Sequence, residues 1–112
     1  MAGIKAFENP GCRISLCADK AYGVEKRYIP VKMTTTDGVF TEATTPATDN
    51  VIGVLQNEVK KGEAGQIALD GVTFYKSESA LAAGDTIGNW GTVIVGCAAG
   101  AIASVLIRPV VS

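Results

Sequence analysis

Short apolar runs with a period of two, each ended by a glycine, a proline or an Asp-Gly pair, recur along the chain, and no long stretch keeps the 3.6-residue period of a helix. A chain with this punctuation has few ways to bury its apolar faces other than a small barrel or sandwich of short strands, so an all-β fold of about seven to nine strands is expected. In "CRISLC" Ile14 and Leu16 share one face and Arg13 and Ser15 the other, which predicts a half-buried strand. In "YIPVKMTT" Ile29, Val31 and Met33 alternate with Tyr28, Pro30 and Lys32. Pro30 cannot donate to a ladder and points to an edge or an irregular pairing. Asp37-Gly38 then forms a tight turn into "VF".

The polar loop "EATTPATDN" separates this pair from "VIGVLQ", an almost continuous apolar run of the kind found where both faces of a strand are covered. Gly53 inside it predicts a bend or a close backbone approach. After the charged connection "NEVKKGEAG", Ile67 and Leu69 set an odd-numbered apolar face, whereas Val72 and Phe74 set an even-numbered one. A one-residue slip reverses sidedness, so a bulge or sharp bend at Asp70-Gly71 is expected, in preference to a two-residue hairpin. "ESALAAGD" links strands.

From Thr86 to Ile107 there is no charged side chain, and Gly96 and Gly100 form a GxxxG spacing, so a membrane anchor over residues 86–107 is the alternative reading of this third. The glycines, the turn "GNWG" and the β-branched runs "TVIV" and "SVLI" favour two strands joined across "GCAAG" instead. The N-terminal "MAGIKAFENPG" has neither the apolar core of a secretory signal nor any regular pattern. It is expected to be an arm, residues 1–11, ahead of a single domain, residues 12–112.

Several chemistries are excluded at this level. Histidine is absent, which removes the usual base near neutral pH and the commonest nitrogen ligand for a metal. Ten Lys and Arg against eleven Asp and Glu supply no cationic field for a phosphate backbone, so no nucleic-acid partner is expected. Cys12, Cys17 and Cys97 fit no CxxC pattern and are odd in number; they predict small buried thiols and a reducing compartment. Asp85-Thr86 lacks the following glycine that a paired-carboxylate protease needs, and reads as a turn before a strand. Asp19 with Glu25, and Asp37 with Glu42, read as solvated charges. Lys76 and Ser77, as neighbours on a strand, point to opposite faces and make no Ser–Lys dyad. No glycine-rich phosphate loop is present. The expectation is a non-enzymatic protein without metal or cofactor.

The segments "YIPVK", "DGVF", "IGVLQN", "KKGEAGQIAL", "DGV" and "LAAGDTIG", in this order and spacing, resemble the small capsid decoration, or head cement, proteins of tailed bacteriophages over about residues 28 to 88. Lys60 and Lys61 stand where small residues or proline look more usual in that family. The resemblance implies a compact β-tulip-like barrel that folds in the bacterial cytoplasm and docks on the outside of the mature head, often as a trimer. There it would bind the major capsid protein and stabilise the shell by bridging capsomers, with neither membrane nor nucleic acid as partner. The expected contact residues are Lys5 and Phe7 in the arm, which would order on the shell, Lys60 and Lys61 at the charged turn, and Trp90 in a loop.

Overall fold

The computed structural model describes residue 6 and residues 8–107; the expected contacts Lys5 and Phe7 lie outside these. Ten strands are present among the described residues: β1 (Asn9–Pro10), β2 (Arg13–Ala18), β3 (Pro30–Met33), β4 (Val39–Glu42), β5 (Gly53–Leu55), β6 (Ala64–Ala68), β7 (Gly71–Lys76), β8 (Thr86–Ile87), β9 (Gly91–Val95) and β10 (Ile102–Ile107). The excess over seven to nine comes from β1 and β8, each a two-residue pairing too short to leave a mark in the sequence. Strands β2-β4-β3-β5-β6 close into a barrel, and β1-β7-β10-β9-β8 form a second, open sheet.

The β5–β6 ribbon is a wall common to both. Its two cross-strand pairs are Val54 with Ala68 and Leu55 with Ile67. Successive side chains on a strand point to opposite faces, so Leu55 and Ile67 enter the barrel core with Val31, Phe40 and Tyr22. Val54 and Ala68 enter the core of the open sheet with Tyr75, Trp90, Val93 and Val105. The continuous apolar run in "VIGVLQ" has this cause. Gly53, at the head of β5, leaves no room for a side chain against β6: a Cβ built there would sit 2.1 Å from the Ala68 carbonyl oxygen.

Two further bonds stitch barrel to sheet. The Tyr28 amide donates to Leu55 O (2.7 Å), while its own carbonyl accepts from the Lys76 amide (2.9 Å). Tyr28 does this at φ 68°, a left-handed conformation uncommon for a bulky residue. Edge-on packing against Phe74 (5.3 Å between centroids) and the Arg27 guanidinium over its ring (4.9 Å) hold it there. Deeper in, buried Gln56 donates from Nε2 to Thr73 Oγ1 (2.8 Å) and to Val54 O (3.0 Å). Thr73→Val keeps the shape and strands one buried amide hydrogen. It is expected to cost about 1–3 kcal/mol, read as a lower urea midpoint at unchanged slope.

The Asp37-Gly38 turn and the β3–β4 hairpin stand as expected, with Gly38 at φ 73°. Other expectations are corrected. Pro30 lies in an interior strand of the barrel, not at an edge; it is the first residue of β3, where the missing N–H interrupts little of the ladder. Asp70-Gly71 is neither a bulge nor a hairpin. It carries the chain from β6 in the barrel to β7 in the other sheet, with Gly71 at φ 81°. Asp70 Oδ1 there accepts the Cys12 amide (2.6 Å). Strand β7 consequently buries Thr73 and Tyr75, and Val72 and Phe74 are left half-buried. A register shift of the bulge kind lies elsewhere, where the β9–β10 pairing skips Ile94 opposite Ser104 and Val105.

The cysteines are not buried: Cys12 and Cys17 are exposed and Cys97 is intermediate. For Cys17 the cause is strand alternation, since its neighbour Ala18 faces the barrel core and Cys17 therefore faces out. Ile14 is 39% exposed because β2 pairs with β4 only at Cys17 and Ala18 and its first half projects past that neighbour. Residues 86–107 form β8, the turn at "GNWG", β9 and β10, with β9 and β10 paired antiparallel as expected. Among the described residues, no helix is long and apolar enough to cross a membrane.

Candidate functional site

Where the barrel and the open sheet diverge, they leave a groove of about 520 Å³. One wall is the polar loop after β4, from Ala43 to Ala47; the other is the chain leaving β7, from Tyr75 to Ser79, with Leu81 and Ile87 beyond. A second hollow of about 220 Å³ shares Ile29, Glu42, Lys76, Ser77 and Glu78 with the first, so the two are lobes of one groove.

Each wall is held by a local device. Thr45 and Asp49 close the loop on itself, the Thr45 amide donating to Asp49 Oδ2 (3.0 Å) and the Asp49 amide to Thr45 O (2.8 Å). Lys32 Nζ pairs with Asp49 Oδ1 at 3.4 Å. From the core side, Trp90 Nε1 donates to Pro46 O (2.9 Å), which ties the crest of the loop to the open sheet. On the opposite wall, Ser77 Oγ donates to Ser79 O (2.7 Å) and accepts from the Ser79 amide (3.2 Å), forming a tight polar turn.

At the base of the groove Tyr75 packs edge-on against Trp90, with centroids 5.6 Å apart. The residue is 4% exposed, yet its hydroxyl has no hydrogen-bond partner among the described residues. Burial, then the negative charge of Glu78, then Cys97, push the Tyr75 phenol from 10 up to about 12. Tyr22, in the barrel core, is also raised to about 12, first by burial and then by the hydrogen bond from its hydroxyl to Asp19 Oδ1 (2.5 Å).

These shifts have a consequence in alkali. Both phenols stay protonated in the fold at a pH where the unfolded chain has begun to lose those protons, so their contribution to stability is complete below pH 10 and is lost as pH rises through about 12. The urea midpoint is expected to fall over that interval. Tyr22→Phe and Tyr75→Phe should each flatten the fall relative to the parent, and near-ultraviolet titration should show both phenols ionising late.

The charges around the groove are unequal in their engagement. Lys26 Nζ pairs with Glu42 Oε2 at 3.2 Å, and Lys76 Nζ donates to the Glu25 carbonyl at 2.6 Å. The carboxylates of Glu25 and Glu78 have no cation partner among the described residues. Lys76 and Ser77 are thereby directed to separate partners, and Asp85 Oδ2 accepts the Ala82 amide (2.9 Å) in the turn before β8. Among the described residues no group of three or more His, Cys, Asp or Glu comes together to hold a metal ion.

The residues expected to touch a partner do not meet here. Lys60 and Lys61 are exposed on the turn between β5 and β6, outside the groove, with Glu63 Oε1 accepting the Lys60 amide (2.8 Å) and Gly62 at φ 83°. Trp90 is 1% exposed, the largest side chain of the core, and its ring offers no outward face. Sequence reasoning passed over Tyr75 and Glu78 because the groove is assembled from segments far apart along the chain, around residues 29–30, 42–47 and 75–87, each unremarkable alone.

No protein-family model matches the chain, and no curated protein matches it. Among solved structures, the N base of the head fiber gp8.5 of bacteriophage phi29 is similar over 90% of this chain and 98% of that one, at a TM-score of 0.62 and 14% identity. The chain shares its fold with a phage head-fiber base. At 90% of this chain the likeness takes in both the barrel and the open sheet.

Proposed function

We propose that the chain is a non-enzymatic accessory protein of a phage head, bound to the outside of the mature shell and stabilising it by bridging capsomers. The observation that carries this reading is the fold shared with the head-fiber base over nearly the whole of both chains. It agrees with the order of "IGVLQN", "DGV" and "AAGD", which resembles the head cement proteins. The physical task needs no reaction. A standard interface of about 1,200–2,000 Å² spans micromolar to picomolar affinity, and engagement of several shell subunits adds avidity.

In this reading the partner is the major capsid protein, the assembly is a trimer at three-fold or quasi-three-fold positions, and the protein folds in the host cytoplasm before it joins the head. Of the arm, residues 1–11, Asn9 and Pro10 already pair with β7 as β1; the part ahead of them orders on the shell through Lys5 and Phe7, and Lys60 and Lys61 add a charged contact from the barrel turn. Trp90 is excluded from this surface by its burial.

Co-sedimentation with expanded heads of the parent phage tests it. Binding at micromolar concentration or below is expected, together with greater survival of the heads on heating. Lys60→Glu with Lys61→Glu should weaken binding roughly tenfold at low salt and less at high salt, because rim charges act mainly through association rate and are screened. Heads that leave the protein in the supernatant at micromolar concentration would refute the reading.

A further inference from the structure

We propose that the two-lobed groove between barrel and open sheet is a binding site for an extended polypeptide segment of a partner chain, one that places a basic side chain beside apolar ones. The site stands on its own geometry and does not depend on what the partner is.

Three features of the groove select this occupant. First, its lining is apolar at Ile29, Pro30, Ala43, Pro46, Leu81 and Ile87, so small aliphatic and proline side chains would be desolvated there, and its volume lies in the range of specific binding clefts. Second, the Tyr75 hydroxyl lies in this lining, on a side chain 96% removed from solvent, with no hydrogen-bond partner among the described residues. The oxygen itself is not among the buried polar atoms left without a partner, so it meets the solvent of the groove, and it is free to donate to a main-chain carbonyl that crosses there. Third, Glu78 borders both lobes and Glu25 borders the smaller one, each without a cation of its own, whereas the nearby cations are already engaged at Glu42 and at the Glu25 carbonyl. One lysine or arginine of the incoming segment would complete the charge balance.

Other ligand classes fit less well. A sugar is commonly held against an open aromatic face, but the aromatic residue in the lining, Tyr75, and its neighbour Trp90 turn their rings into the core. Phosphate-bearing ligands would meet carboxylates. Polypeptide is the class that uses the apolar lining, the Tyr75 donor and the unmatched negative charge together.

The test uses the full chain, labelled with nitrogen-15, and a set of end-blocked hexapeptides in which one lysine is moved through a background of alanine, valine and proline. Saturable binding below about 1 mM is expected for at least one register. Amide shifts should cluster at residues 43–47 and 75–81. Tyr75→Phe, which keeps the ring against Trp90, should weaken binding about five- to tenfold, the loss of one hydrogen bond. Glu78→Gln, at an exposed position that does not threaten the fold, should weaken it several-fold. Glutamate in place of lysine in the peptide should abolish it.

The proposal is overturned if no register binds at millimolar peptide, if the glutamate peptides bind as well, or if both substitutions leave the affinity unchanged. Maltohexaose binding with the same shifts would also overturn it, in favour of a carbohydrate site. Head co-sedimentation is independent: the groove can bind peptide while heads are ignored, and heads can be bound by a protein whose groove stays empty.

Discussion

Gly53→Val is expected to leave little or no folded protein. The first atom of any side chain at this position would lie 2.1 Å from the Ala68 carbonyl oxygen and 2.8 Å from Ile67 Cγ2, and the first of these is main chain that cannot rotate away. Relief requires β5 and β6 to part, and their separation opens both cores at once because Val54, Leu55, Ile67 and Ala68 lie along that ribbon. The cost should exceed about 4 kcal/mol, a large share of the roughly 5–15 kcal/mol that holds a domain together. Gly62→Ala is the control. Gly62 has a left-handed backbone, at φ 83°, but a Cβ there meets nothing within 4 Å, so the cost should stay near 1–2 kcal/mol. Urea unfolding followed by far-ultraviolet circular dichroism measures both. A Gly53→Val protein as stable as the control would show that the ribbon is not packed as described.

Trp90→Ala carries the second large effect. The indole is 1% exposed and packs with Tyr75, so its removal leaves a cavity in the open-sheet core worth about 3–5 kcal/mol. Trp90→Phe separates the two roles of the ring. It retains most of the apolar volume and deletes the hydrogen bond to Pro46 O, with an expected loss nearer 1 kcal/mol from that bond. Its signature should be local: faster hydrogen exchange at the Thr48 and Asp49 amides, both bonded to Thr45 O in the loop that Trp90 tethers. Unchanged exchange in Trp90→Phe would mean that the loop holds its shape without the indole.

The sequence displays what is local and hides what is shared between distant segments. Alternation placed β2, β3 and the β9–β10 pair, and Asp37-Gly38 placed a hairpin, because strand sidedness and turn chemistry are written in adjacent residues. The face of Ile67 was readable, but that of Val72 and Phe74 was not the buried one. The chain changes sheet at Asp70-Gly71 and β7 buries Thr73 and Tyr75 instead, which only the three-dimensional pairing reveals. For the same reason Trp90 looked like a loop aromatic: its cover comes from Tyr75 and Pro46, fifteen and forty-four positions away. The groove was least legible of all. Its donor is an ordinary strand tyrosine, and its unmatched carboxylates become visible only when the lysines around them are seen to be occupied.

The strand ribbon common to the barrel and the open sheet leaves the molecule without a seam. Two units joined by a linker can separate under load while each remains intact, whereas here any pull that divides one half from the other must first tear a plane that is interior to both. A protein built in this way transmits stress through its middle, and gives way all at once or not at all.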